Sequence, residues 1–465
     1  MVTRIAVRRQ ISIPHSEPQT APGATAALAQ VGRSVSVGEL PPEALAVAKH
    51  CLLDWLGVTL AGSREPLSEI LAVELGTGES REATLIGRPG RASAHTAALV
   101  NGAAGHALDF DDMHLTVMGH PSVAVAPGAL ALSERLEASG AELLTGFVAG
   151  VEVECRLGAL VGPSHYERGW HNTATLGTFG AAGACARLLG LDEERWLHAL
   201  GIAGTQAAGL KGVFGTMSKP LHAGRAAANG LLAAGLAARG FTSSREIVEG
   251  SQGFGSTHTD ALAGVEILEP LTGRYLIRDT LFKYHAACYF THSIIESALT
   301  IRHADGVRRE DVEAVEVEVS PDALDVANIG EPRTGLEGKF SLRAVTAMAL
   351  LGDDMSDPGA YCDERMAAPE LVALRDRIRV VPGGTSPTAG SVRVRTVDGR
   401  ALTASADTSI PAADLAGQGE RLRAKFMALA GPVVGQERAE AIPAIIARLD
   451  ELERVSDLTR LLSAP

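Results

Sequence analysis

Residues 106–122 read HALDFDDMHLTVMGHPS and crowd Asp109, Asp111, Asp112, His114 and His120 into one short span. The preceding AALVNGAAG is small and apolar. Carboxylates and imidazoles at this density could ligate a metal, move protons or form a solvated turn. A calcium loop needs oxygen ligands at positions 1, 3 and 5 followed by glycine. Here Asp109 and Asp111 are followed by Met113 and His114, so that pattern breaks. A magnesium–diphosphate motif DDxxD reads DDMHL, without a second ligand cluster, and the HExxH zinc pattern is absent. No metal is expected. Acid/base chemistry remains open for Asp109 and for His120 on the loop beyond. Asp111, Asp112 and His114 read as solvated rim or structural groups, because adjacent carboxylates repel and are costly to bury.

Three further clusters complete the set. In YERGWHNTATLGTFGAAGACARLLG, His171 stands after Trp170 and before a small-residue helix, as a helix cap or as an acid/base group. Gly177, Gly180 and Gly183 come after no strand, so they suit close helix packing rather than a dinucleotide site. In GTMSKPLHAGRAAANG, Pro220 fits a first helical turn and puts Lys219 at the positive end of the helix dipole. An ammonium is tolerated there when an anion joins it, and otherwise it points to solvent. His222 falls in the same turn. In LFKYHAACYFTHSIIESAL, Lys283 lies near Cys288. That cysteine reads as a nucleophile beside a histidine or as a small buried hydrophobe.

The elements that must hold these groups are mostly helical. PEALAVAKHCLLDWLGVTLAG begins after Pro-Pro and ends at Gly62, with Leu45, Ala48, Leu52, Trp55 and Leu56 on one apolar stripe. DEERWLHALGIAG opens with acidic residues, as helix N-termini prefer, and AGRAAANGLLAAGLAARG stops at Gly240. No strand pattern interrupts this half. Later, VEAVEVEVS alternates as a half-buried strand, IRVVP is another, and SVRVRTVDGRALTAS is a hairpin turning at Asp398-Gly399. The reading is a mainly α protein: a loose tail over 1–24, a large all-helical domain over 25–272 and 408–465, and a smaller α+β lid domain over 273–407.

Composition agrees with a globular chain. It has 465 residues, 46% hydrophobic and 21% charged, with aromatics at only 4%, which favours close helix packing. A net charge of −13 argues against nucleic acid as partner. The five cysteines form no C-x-x-C pair and suit a reduced, cytoplasmic setting. The N-terminal stretch lacks the apolar core of a secretory signal, and no charge-free run of eighteen apolar residues occurs, so no membrane partner is expected.

Taken in order, NGAAGHALDFDDMH, GHPSV, GWHNTATLGTFGAA, GTMSKPLHAGRAAANG and FKYHAACYFTHSIIESA resemble the MmgE/PrpD family from about residue 43 to at least residue 350. That family includes 2-methylcitrate dehydratases, cis-aconitate decarboxylases and an iminodisuccinate epimerase. The resemblance implies a homodimer without cofactor, with its site between helical and lid domains and a small polycarboxylate as substrate. It implies Asp109, His120, His171 and Lys219 as catalytic groups, with Lys283, His222, Met113 and Cys288 around the substrate. Met113 stands where the decarboxylases carry Thr, Cys288 where they carry His, and Arg343-Ala344 where many members carry Pro-Tyr. The resulting expectation is a hydro-lyase of the 2-methylcitrate dehydratase kind. Dicarboxylate epimerisation, cis-aconitate-type decarboxylation and a non-catalytic carboxylate-binding dimer are the alternatives.

Overall fold

Small side chains decide how closely these helices approach. The computed structural model describes residues 23–76, 80–268, 274–384 and 386–464. In chain order come α1 (Ala24–Ser34), α2 (Pro42–Gly62), α3 (Pro66–Glu74), a strand pair β1 (Ala83–Thr84) and β2 (Arg91–Ala92), α4 (Ala94–His106) and α5 (Pro121–Leu136). Then come α6 (Gly140–Glu167), α7 (Asn172–Leu188), α8 (Glu193–Gly204), α9 (Ser218–Ala238) and the single turn α10 (Phe254–His258). An α+β stretch succeeds them: α11 (His292–Asp305), β3 (Val312–Val319), α12 (Pro321–Ala327), α13 (Gly335–Gly338), α14 (Leu342–Leu351), α15 (Asp363–Met366), α16 (Pro369–Arg375), β4 (Ile378–Pro382), β5 (Ala389–Thr396) and β6 (Ala401–Asp407). Next come α17 (Leu415–Val434), α18 (Gln436–Ala447) and α19 (Ser456–Thr459). The protein is mainly α with a small α+β part. Of the expected tail, residues 1–22 lie outside the described residues, while Ala24 already opens α1 and is buried.

The four-stranded sheet runs in the order β4-β3-β5-β6. β3 pairs parallel with β4 and antiparallel with β5, and Gly399, at φ +88°, turns β5 back into β6. Val315, Val317 and Val319 point inward, as their alternation with glutamate requires. The two-residue ladder of β1 and β2 has no counterpart in the sequence pattern; it is too short to leave a period of two.

Two apolar cores result. One runs through α1–α9 and includes Leu422, Phe426, Ala430, Ile442 and Leu458 from the last helices. The other gathers α11, α14, α16 and the sheet, and Val58, Phe110 and Leu429 reach into it. α2 differs from its expected single stripe, because every residue from 51 to 60 is buried. It is long and apolar enough to cross a membrane, yet it packs against α4 and α17 in the core.

The α4–α9 crossing does most to position the ionisable clusters. A Cβ on Gly102 would lie 2.8 Å from Gly224 Cα, and one on Gly224 would lie 2.2 Å from the Leu99 carbonyl oxygen. Backbone meets backbone there, which brings the end of α4 beside the start of α9. Gly224→Ala should therefore destabilise the protein by about 1–3 kcal/mol through overpacking. Urea unfolding checks this; an unchanged midpoint would refute so close a crossing. Gly177 likewise abuts Ala124 of α5, and Gly183 abuts Val153 of α6, the close packing read from their spacing.

Candidate active site

Where α4 ends at His106 the chain turns through Asp109, whose φ is +51°. A non-glycine residue in that region carries about 1–3 kcal/mol of strain and marks a place the surroundings over-determine. Asp109 Oδ1 accepts a hydrogen bond from Lys219 Nζ at 2.7 Å, and Lys283 Nζ lies 3.3 Å away. Lys283 Nζ also donates to the Asp109 carbonyl oxygen at 2.5 Å. His120 Nε2 stands 3.9 Å from the same carboxylate oxygen. The His106 ring sits 4.7 Å from His120 and stacks at 5.8 Å on His171, whose Nδ1 is 3.0 Å from His222 Nδ1. Phe214 presents its ring at 5.0 Å to the edge of His171.

Local backbone explains the convergence. His120 is the N-cap of α5, with Pro121 next, and His171 is the N-cap of α7. Lys219 is the second residue of α9. Three helix N-termini thus bring their positive dipole ends to one cleft. The loop before α5 is tied down by Thr173 Oγ1, which accepts from the His120 N–H at 3.1 Å. Gly209, at φ +151°, accepts from the His171 N–H at 3.0 Å. A Cβ there would lie 2.5 Å from Ala174 Cβ, so only glycine fits.

Electrostatics separates the acidic residues into three kinds. Burial works against the charge of Asp109, but Lys219 and Lys283 outweigh it and hold its carboxyl well below the usual range. Asp111 is fully buried; His106 and His120 overcome its desolvation and also hold it low. Its carboxylate lies 2.9 Å from His106 Nδ1 and 3.2 Å from His120 Nδ1. Asp112 is instead pushed up to about 8 by burial and by Asp54, with Ser122 bonded to its carboxyl. Of the two readings of Asp111, Asp112 and His114, solvated rim or structural, the solvated rim is thus corrected. None is more than 1% exposed, and His114 Nε2 pairs with the Leu276 carbonyl at 2.9 Å. Partners near enough to replace water offset the cost for Asp111 and His114, whereas Asp112 meets it with a raised pKa that favours its neutral form.

Among the cations, burial lowers Lys219, but Asp109 more than restores it and sets it above its usual value. The anion at the start of α9 is therefore a carboxylate of the chain itself, and Lys219 does not project freely into solvent. His106 is pushed down to about 4 by burial. His171 is driven far down by burial together with His106, Lys219 and His120, so it is neutral at neutral pH rather than poised to titrate there. Ligand atoms of His106, Asp109, Asp111 and His120 lie within 4.8 Å of one another, a spacing a metal could use. However, the Lys219 and Lys283 ammonium groups already occupy the Asp109 carboxylate, and two fixed positive charges oppose a third.

The remaining residues sit at the edge. Met113 is half-buried and exchanges backbone hydrogen bonds with Leu281 at 2.8 Å, two residues before Lys283. Cys288 is half-buried, with its N–H donating to the Lys339 carbonyl at 3.0 Å. Burial pushes its thiol up to about 11, which disfavours the nucleophile reading. The residues that sequence reasoning missed are His106, the centre of the imidazole stack, and Asp111 as its ionised partner. Their spacing across the end of a helix was the available signal. Phe214 left none.

On this helical scaffold with its α+β part, Lys219, Lys283 and His120 converge on the Asp109 carboxylate, and His106, His171 and His222 continue the cluster behind them. The chain belongs to the MmgE/PrpD family: residues 26–262 match the MmgE/PrpD N-terminal domain and residues 285–451 the MmgE/PrpD C-terminal domain. It is 28% identical to cis-aconitate decarboxylase of Mus musculus over 95% of this chain and 93% of that one. It is 26% identical to cis-aconitate decarboxylase of Aspergillus terreus, over 95% and 96%, and 27% identical to that of Homo sapiens, over 95% of each.

Proposed function

We propose that this protein is a lyase acting on a small polycarboxylate by moving a proton at a carbon beside a carboxylate. One observation carries the reading: Asp109 is a carboxylate held by Lys219 at 2.7 Å, with Lys283 at 3.3 Å and His120 Nε2 at 3.9 Å. A cleft that stabilises its own carboxylate this way suits the carboxylates of a substrate and the enediolate-like charge beside them. His120 Nδ1 faces the Asp112 carbonyl at 2.7 Å and Asp111 at 3.2 Å, which leaves Nε2 on the cleft side to take or give a proton. His171 enters neutral, as a hydrogen-bonding group.

Within that class the first reading is dehydration, the family's broadest assignment, and Met113 and Cys288, standing where the decarboxylases carry Thr and His, weigh against decarboxylation. One group removes the α-proton and a second protonates the departing hydroxyl. The second reading is decarboxylation, favoured by likeness to cis-aconitate decarboxylases along 95% of the chain. There CO₂ departs and the carbanion takes a proton. The test is incubation in D₂O with methylcitrate, citrate, cis-aconitate and iminodisuccinate, read by NMR. Loss of water from a hydroxy acid supports the first reading and CO₂ release the second. Deuterium exchange without net product indicates epimerisation. No exchange and no product from any of the four would overturn the lyase and leave a carboxylate sensor.

A further inference from the structure

Lys425 lies on α17, far along the sequence from every group of the cleft, and is 2% exposed. Its ammonium donates to three acceptors: Asp54 Oδ1 on α2 at 2.6 Å, the Phe110 carbonyl at 2.7 Å and the Lys283 carbonyl at 2.8 Å. That uses all three of its protons. The Phe110 ring lies 3.8 Å from the same nitrogen. Phe110 comes directly after Asp109, and the Lys283 carbonyl belongs to the residue whose ammonium faces Asp109. One buried cation thus ties the backbone next to Asp109 to that of Lys283. It does so at the seam where Val58, Phe110 and Leu429 cross into the second core.

We propose that Lys425, oriented by Asp54, is a positioning residue: it fixes the Asp109–Phe110 turn against the Lys283 segment and so sets the spacing of carboxylate and ammonium. A purely structural ion pair would need only Asp54. Two of the three bonds go instead to backbone carbonyls that no helix or sheet satisfies, one beside the left-handed Asp109. Holding that strained turn in one place is what a preorganised site requires. Asp54 Oδ2 has no partner among the described residues, so the carboxylate depends chiefly on Lys425 for neutralisation. The proposal rests on the reading of Asp109 and Lys283 as working groups, but its principal test does not.

That test compares wild type, Lys425→Met and the double variant Asp54→Asn/Lys425→Met. Lys425→Met strands a buried carboxylate and lowers the melting temperature; the double variant removes that charge and recovers most of the loss. Hydrogen–deuterium exchange by mass spectrometry should show the double variant still exchanging faster over residues 107–114 and 281–288, and unchanged elsewhere. With whichever acid the wild type turns over, kcat should remain lower by about a hundredfold, the scale of a small misplacement at a site, with KM less affected. Unaltered or uniformly raised exchange in the double variant would overturn the proposal, as would recovery of kcat along with the melting temperature. Localised exchange in a protein that turns over none of the acids would keep the positioning role while refuting the lyase.

Discussion

Replacing His120 by asparagine is expected to lower kcat by about 10³, within the range seen for removing a positioned acid/base group. The substitution is chosen for what it preserves. An asparagine amide can occupy the place of His120 Nδ1 and still donate to the Asp112 carbonyl, now 2.7 Å from that nitrogen. The His120 N–H to Thr173 bond is untouched, so the loop before α5 keeps its course. What disappears is Nε2, the atom on the cleft side near Asp109, and the titratable ring beside Asp111, which keeps His106 at 2.9 Å. The loss should therefore fall on kcat, with KM changed by a few-fold at most. Steady-state kinetics on the acid identified in D₂O, with circular dichroism to confirm the fold, decides the matter. A kcat within tenfold of wild type would remove His120 from proton transfer. His171 would then be the remaining candidate, although burial and the nearby Lys219 keep it neutral at the outset.

Much of this arrangement is legible in the chain. The β3 alternation, the β5–β6 hairpin and the acidic start of α8 are local patterns, and local patterns survive into structure. The sequence puts Lys219 at a helix start, and the anion that its position demands is Asp109. Burial of charge is harder to read. Adjacent aspartates look solvated when only their neighbours in sequence are considered. Yet Asp111 is offset by two imidazoles, and Asp112 by Ser122 and a raised pKa. His106 hides in a helix of small residues, where its spacing to Asp111 across the helix end is the one local mark of a site. Lys425 is least legible. In GERLRAKFMALAG it resembles any cation on a solvated face, and its burial depends on Asp54, some 371 residues away. α2 shows the reverse limit: an apolar stripe in sequence cannot reveal that the opposite face is also covered.

Replacing Lys219 by methionine should lower kcat/KM by about 10³, the upper range for losing one charged donor in a preorganised site. Methionine keeps the length and apolar stem, so the loss isolates the ammonium. That ammonium does two things in the geometry described. It binds the carboxylate at 2.7 Å, and it adds to the positive field that α9 already provides at its first turn. Both act more strongly as charge accumulates beside a substrate carboxylate, so kcat should fall as well as affinity. A second readout comes from Asp109. Its carboxyl is held below the ordinary value of about 3.9, so it contributes stability that is present above that value and lost as pH falls through the folded-state value. Without Lys219 the nearest ammonium is that of Lys283, the folded-state value rises toward the ordinary one, and the contribution shrinks. The stability gap between wild type and Lys219→Met should therefore be widest near neutrality and should close as acid protonates Asp109. Starting from lower stability, the variant should also begin its acid unfolding, followed by circular dichroism, at a higher pH than wild type. Asp109 is half-open to the cleft, so salt should shrink the difference. Coincident acid transitions would mean that the Lys219–Asp109 pair does not persist in solution, and with it would go the picture of a cleft preset for carboxylates.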